Sequence, residues 1–253
     1  MTTPETIAER TSQINRDANY TGLGVAEFVA LVMHENTAGS GVTASLLGLD
    51  DEALFEPAPL MYGRASLFAR GLLETGDGET IEPAGVGRLV AHAAANASRW
   101  VSLLLFTPTG GQDAVFLIQA PSGALLVVPR ALMSFQVAPA NLADGLTGVV
   151  WDIIERHLHA VEDATVVIGA VFPDGSASKL VLVREDRDAD AAAGTAFVVA
   201  ITEDLDDEPA DAVTVLTEDE LDAVLNAALR GPDDVAGGNV GDGAGTTDGA
   251  DAS

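Results

Sequence analysis

The sequence predicts an α+β fold: an antiparallel sheet built from two related four-strand-plus-helix units, with an N-terminal helical segment packed on it. Three observations carry this expectation. Before residue 99 apolar residues recur at helical spacing; after it come short apolar runs divided by Gly and Pro; and the order of four strands and a helix then recurs. A chain of 253 residues, 47% hydrophobic, is long enough and apolar enough to bury a sizeable core.

Residues 1–22 are polar and aperiodic and are expected to form a flexible N-terminus. Val25, Phe28, Val29 and Val32 mark a short amphipathic helix that ends near His34, with Gly39, Ser40 and Gly41 as its break. A second helix is expected over 60–73, with Leu60, Leu67, Phe68 and Leu72 as its apolar stripe. Residues 74–80 read as a turn or hairpin tip, because Gly76 and Gly78 tolerate positive φ. Pro83 suits the first turn of a third helix, where its missing N–H costs nothing, and that helix runs through Val86, Leu89 and Val90 to about Ser98.

Strands are expected at 100–106, 114–120, 124–128 and 134–138, with turn signals at 108–111 and 121–123, followed by a helix over 141–159. The order returns with strands at 165–172, 179–185, 195–202 and 212–216 and a closing helix at 217–229. Thr217 with Glu220 three residues on is a capping box that fixes the start of that helix. The expected organisation is one domain over 23–230 with pseudo-repeats at about 99–159 and 163–230. The match between the two is one of pattern, not of identity. Residues 231–253 have too little apolar content to repay the entropy of ordering and are expected to be a disordered acidic tail.

The charge is one-sided: 12 Lys and Arg against 39 Asp and Glu, a net −27. Nucleic acid binding replaces counterions around phosphates with cations this chain lacks, and anionic membrane surfaces are disfavoured for the same reason. An acidic surface fits a basic protein partner, and it equally keeps a protein soluble. No cysteine is present, so disulfides, thiolate zinc sites and a cysteine nucleophile are excluded. The start of the chain lacks the basic and apolar stretches of a signal peptide, and no apolar run reaches the length of a membrane span, so a cytoplasmic protein without membrane insertion is expected.

Searches for chemistry end without a site. His157 and His159 lie two apart on a helix, which sends their rings to different faces, and all four histidines, with His34 and His92, read as surface or helix-end residues. Asp186, Asp188 and Asp190 open like a calcium loop, but its glycine and glutamate positions are held by Ala191 and Phe197. Gly22 and Gly24 lack the third glycine of a dinucleotide turn, and no lysine follows Gly110 and Gly111 as in a phosphate loop. A winged-helix reading of 60–106 would leave Arg88 as the sole cation of its recognition helix. No catalytic, cofactor or metal residue is nominated, and a non-enzymatic protein is expected.

The segment from Arg64 to Phe106 resembles the EspG-like chaperone family of actinobacterial type VII (ESX) secretion systems. The likeness rests on a helix ending in Arg70-Gly71-Leu72-Leu73, a glycine-rich turn, a Pro-led helix of small residues, and Arg99 before an apolar strand. It continues through the meander after Gln112 and covers about residues 23–230, although the second half has no counterpart to the helical insert at 60–98. The resemblance implies a chaperone or adaptor that binds a secretion substrate and keeps it soluble, without a cofactor and with two related halves around one sheet. An acidic, immunity-type protein that neutralises a basic partner is the alternative. Loops on a rigid sheet commonly carry recognition, so the partner contacts are expected at the 108–113 hairpin tip (Pro108, Thr109 and Asp113) and in the 185–195 loop (Glu185, Asp186, Asp188 and Asp190).

Overall fold

Alternating apolar residues and tight turns give the strand-rich part of the chain one continuous surface to pack on. The computed structural model describes residues 20–49, 51–77, 80–186, 195–203 and 213–230. Strands β4 (Arg99–Phe106), β5 (Gln112–Ala120), β6 (Gly123–Arg130) and β7 (Ser134–Ala140) form an antiparallel meander. A second run follows: β8 (Thr165–Val171), β9 (Leu180–Asp186), β10 (Ala196–Thr202) and β11 (Thr214–Thr217). The first strand, β1 (Thr21–Gly24), pairs with β7, and β4 pairs with β8 from Trp100–Val171 to Phe106–Thr165. The sheet is nine-stranded and antiparallel, ordered β1-β7-β6-β5-β4-β8-β9-β10-β11. Both meanders thus grow outward from the central β4–β8 pair.

Four helices precede the first meander: α1 (Val25–Val32), α2 (Ala38–Leu46), α3 (Pro57–Ala69) and α4 (Val86–Ala95), with a 3₁₀ turn at Glu52–Phe55. A two-stranded hairpin of β2 (Leu73–Thr75) and β3 (Ile81–Pro83) joins α3 to α4. Helices α5 (Gly145–Ala160) and α6 (Glu218–Leu229) follow the two meanders. The capping box at the start of α6 forms as expected: Glu220 N donates to Thr217 Oγ1 at 3.4 Å and Thr217 N to Glu220 Oε2 at 2.9 Å.

The helices seat on opposite faces of opposite halves. Phe28, Leu31, Val90 and Ala94 pack with Ile118, Leu125, Val127, Phe135 and Val137, so the N-terminal helices cover one face of the first meander. Phe28 stacks on Phe135 with ring centroids 4.5 Å apart. Helices α5 and α6 bury Val150, Ile154, Leu221 and Leu225 on the other face, against Leu103, Leu117, Ile168, Val183 and Val199. One core thus lies above the first half, the other below the centre and second half.

Three local expectations are corrected. Pro83 ends β3 instead of opening a helix; α4 starts at Val86, after Gly85 turns the chain with φ of 52°. Gly39, Ser40 and Gly41 do not break structure but begin α2, whose cap is Thr37. Thr37 Oγ1 also donates to the Ala95 carbonyl at 2.9 Å, and a Cβ at Gly39 would sit 2.8 Å from the Ala94 carbonyl oxygen, so glycine there lets α2 close on the end of α4. Gly63 has the same role at the α1–α3 crossing, where a Cβ would meet the Ala26 carbonyl oxygen. The expected flexible boundary at residue 22 falls inside β1, with Thr21 and Gly22 paired to Val137 and Gln136. Residues 1–19 and 231–253 lie outside the described residues.

Candidate protein-binding face

Opposed residues of antiparallel strands share a face, so the pairing register reads out the surface of the second meander. Ile168, Val181, Val183, Phe197 and Val199 point toward α5 and α6. Their alternates point the other way. Leu104 faces Val167, Val167 faces Leu182, and Leu182 faces Ala200. Beside that row, Phe106 faces Thr165 and Val198 faces Val215. The helices packed on β8, β9 and β10 are α5 and α6, on the other face; on this one, Val171 at the end of β8 packs against the N-terminal core.

Exposure varies from strand to strand across this face. Val167 on β8 and Ala200 on β10 are buried, Leu104, Leu182 and Val198 are half-buried, and Val215 on the outermost strand and Val213 just before it are 56% and 59% exposed. Arg184 and Asp186 follow Leu182 along the same face of β9, Arg184 opposite Val198, and give the apolar row a polar side. An apolar strip bounded by polar groups is the composition of a protein-contact surface.

The nominated residues separate in the structure. Pro108 and Thr109 sit exposed at the β4–β5 hairpin tip, shaped by Gly110 with φ of 82° and by Gly111 N donating to Thr107 Oγ1 at 3.0 Å. Asp113 is turned inward: its side chain is 15% exposed, with Oδ2 3.7 Å from Arg130 Nη1. Asp186 pairs with Ala196 and lies on the open face, whereas Glu185 pairs with Phe197 and lies on the α5/α6 face. Phe106 pairs with Thr165 and Val166 with Val183, so the hairpin tip and the ends of β9 and β10 emerge at the same sheet edge. Leu132 and Met133, exposed in the β6–β7 turn with φ of 61° and 51°, stand at that edge as well. Asp188 and Asp190 lie outside the described residues.

Titratable groups inside the fold serve packing. Glu27, 7% exposed on α1, accepts from Ser66 Oγ at 2.6 Å, Gly24 N at 2.9 Å and Arg70 Nη1 at 2.6 Å. Burial alone would raise its carboxyl; the three hydrogen bonds and the Arg70 charge outweigh burial and hold it below its ordinary value. Arg70 also donates to the Gly22 carbonyl at 2.7 Å, tying α3 to α1 and β1. His157, expected at the surface, is buried, with Nε2 3.1 Å from the Phe106 carbonyl oxygen; burial lowers its pKa against the opposing pull of that carbonyl and of Asp113. Burial likewise pushes the Tyr20 hydroxyl up to about 12, against the pull of Arg130 and Arg156. Arg88 donates to the Pro83 carbonyl at 3.1 Å and to Glu74 at 3.2 Å.

Among the described residues no group of three or more His, Asp or Glu is placed to hold a metal ion, and no described helix is long and apolar enough to cross a membrane. No family model matches the chain, and no curated protein matches it. The face is therefore interpreted from its geometry. Sequence reading overlooked the strip because its residues carry the same alternation as the covered strands; the exposed pair Val213 and Val215 next to an acidic segment was the available signal.

Proposed function

We propose that this chain is a non-enzymatic cytoplasmic chaperone or adaptor that holds a protein substrate of type VII secretion in solution. The observation that carries the proposal is the open apolar strip from Leu104 through Leu182 and Val198 to Val213 and Val215, rimmed by Arg184 and Asp186. A strip of this shape suits the apolar side of a helical segment, which would otherwise aggregate, better than it suits a small polar substrate. The resemblance of 23–230 to the EspG-like family points to the same class. We also interpret the two meanders and their closing helices as a duplicated unit, on the strength of their mirrored order about β4 and β8.

The test is recovery of the tagged chain from its own host, with Val213→Asp/Val215→Asp beside the wild type. The proposal expects a small helical secretion substrate on the wild type, retained between roughly 0.1 and 0.5 M salt because apolar contact is not screened, and absent from the double variant. A basic partner released by that salt step would instead support neutralisation by the acidic surface, the reading the net charge of −27 favours. A folded wild type that carries no helical protein would defeat the proposal.

A further inference from the structure

At the far end of α6 the helix does not close fully on the sheet. A cavity of about 460 Å³ opens there between the last turns of α6, the β8–β9 connection and the adjoining ends of β9 and β10. Phe172, Val181 and Ile201 line it from the sheet, and Val224, Ala227 and Ala228 from the helix. The cause is local: α6 buries Leu221, Leu225 and Leu229, while alanine at 227 and 228 is too short to fill the remaining space. The volume lies in the range of small-ligand pockets, roughly 300–1,000 Å³, and is too small for a partner's helix.

Its mouth is cationic in a chain that is otherwise acidic. Lys179, the chain's single lysine, and Arg230 both line the opening. The Arg99 guanidinium lies 5.8 Å from the centroid of the Phe172 ring behind them. Lys179 Nζ is 3.8 Å from Glu203 Oε1, an exposed pair that an incoming carboxylate can replace at little cost. Arg230 engages no acid among the described residues, and it offsets the partial negative charge at the carbonyl end of α6. The two lining hydroxyls are committed to the turn: Ser176 Oγ donates to Asp174 Oδ1 at 2.5 Å, and Ser178 Oγ receives Ala170 N at 2.9 Å and donates to the Lys179 carbonyl at 3.0 Å. Polar ligands such as sugars therefore find few partners.

We infer that this cavity binds an amphipathic monocarboxylate, with a medium-length acyl chain between α6 and the sheet and the carboxylate at Lys179 and Arg230. The inference is independent of the open face and of the partner proposed for it. Calorimetric titration of the full chain with decanoate tests it, with decanol as the uncharged control. One site is expected, with decanol about tenfold weaker, and about tenfold weaker decanoate binding in Lys179→Ala/Arg230→Ala. Ala228→Leu fills the cavity from the helix side and is expected to abolish binding while the melting temperature holds or rises. No binding of decanoate overturns the inference, as does binding unchanged by Ala228→Leu in a folded variant. Equal affinity for decanol, or for the double alanine variant, overturns the carboxylate assignment.

Discussion

The two halves of the sheet are built from the same strand order and clothed differently. On the first, Leu125, Val127 and Val137 sit under α1–α4 with no measurable exposure; on the second, the corresponding side carries Leu182 and Val198 half-buried and Val215 exposed. A meander of alternating apolar residues can thus be covered by helices on one face or the other according to what precedes it in the chain. The four helices before β4 close the first half, and the long α5 between the meanders is drawn to the other face instead.

Side-chain deletion sharpens that contrast most strongly. Leu125→Ala, under the helices, is expected to lower unfolding free energy by about 3 kcal/mol, since it removes transfer energy and leaves a cavity. Val215→Ala is expected to stay within about 0.5 kcal/mol in the same denaturant titration. Equal losses at the two positions would mean that the open strip is packed in the free protein.

A smaller effect is expected where the helical cover is tied down. Arg70→Met keeps much of the side-chain volume but strands the Glu27 carboxylate, and a cost of about 2 kcal/mol follows from losing a hydrogen bond to a buried charge. The folded Glu27 carboxyl is held below its ordinary value, so its contribution to stability is present above the unfolded carboxyl pKa and is lost as pH falls through the lower, folded one. Arg70→Met should therefore lose less stability than the wild type on acidification through that window. Parallel melting-temperature curves for the two proteins would show that Glu27 and Arg70 are not coupled.

Much of this organisation was legible from residues alone. Turns at 108–111 and 121–123 placed the hairpins, and the Thr217–Glu220 box placed α6, because both signals act within a few residues. What was not legible depends on distant groups. Residues 38–46, AGSGVTASL, lack a helix former's composition, and α2 exists because Thr37 and Gly39 fit the end of α4 and because Trp100 Nε1 donates to Thr43 Oγ1 at 2.8 Å. β1 is four residues long, half of them glycine, and forms by pairing with β7. Asp113 read as a hairpin-tip acid until the register turned it toward Arg130. For the candidate site, Leu180-Val181-Leu182-Val183 and Leu125-Leu126-Val127-Val128 are nearly the same text, yet Leu125 and Val127 are buried under helices while Leu180 and Leu182 are half-buried.

The absence of cysteine from the chain allows that difference to be measured directly. Single substitutions Val127→Cys and Leu125→Cys on the covered half, and Val198→Cys and Val215→Cys on the open half, can be compared for their rate of reaction with a thiol reagent under native conditions. The Val215→Cys thiol is expected to react near the rate of the unfolded chain, the half-buried Val198→Cys thiol more slowly, and the covered ones only on global opening, which separates Val215→Cys from the covered pair by several orders of magnitude. Equal protection on the two halves would contradict an open face on the second meander.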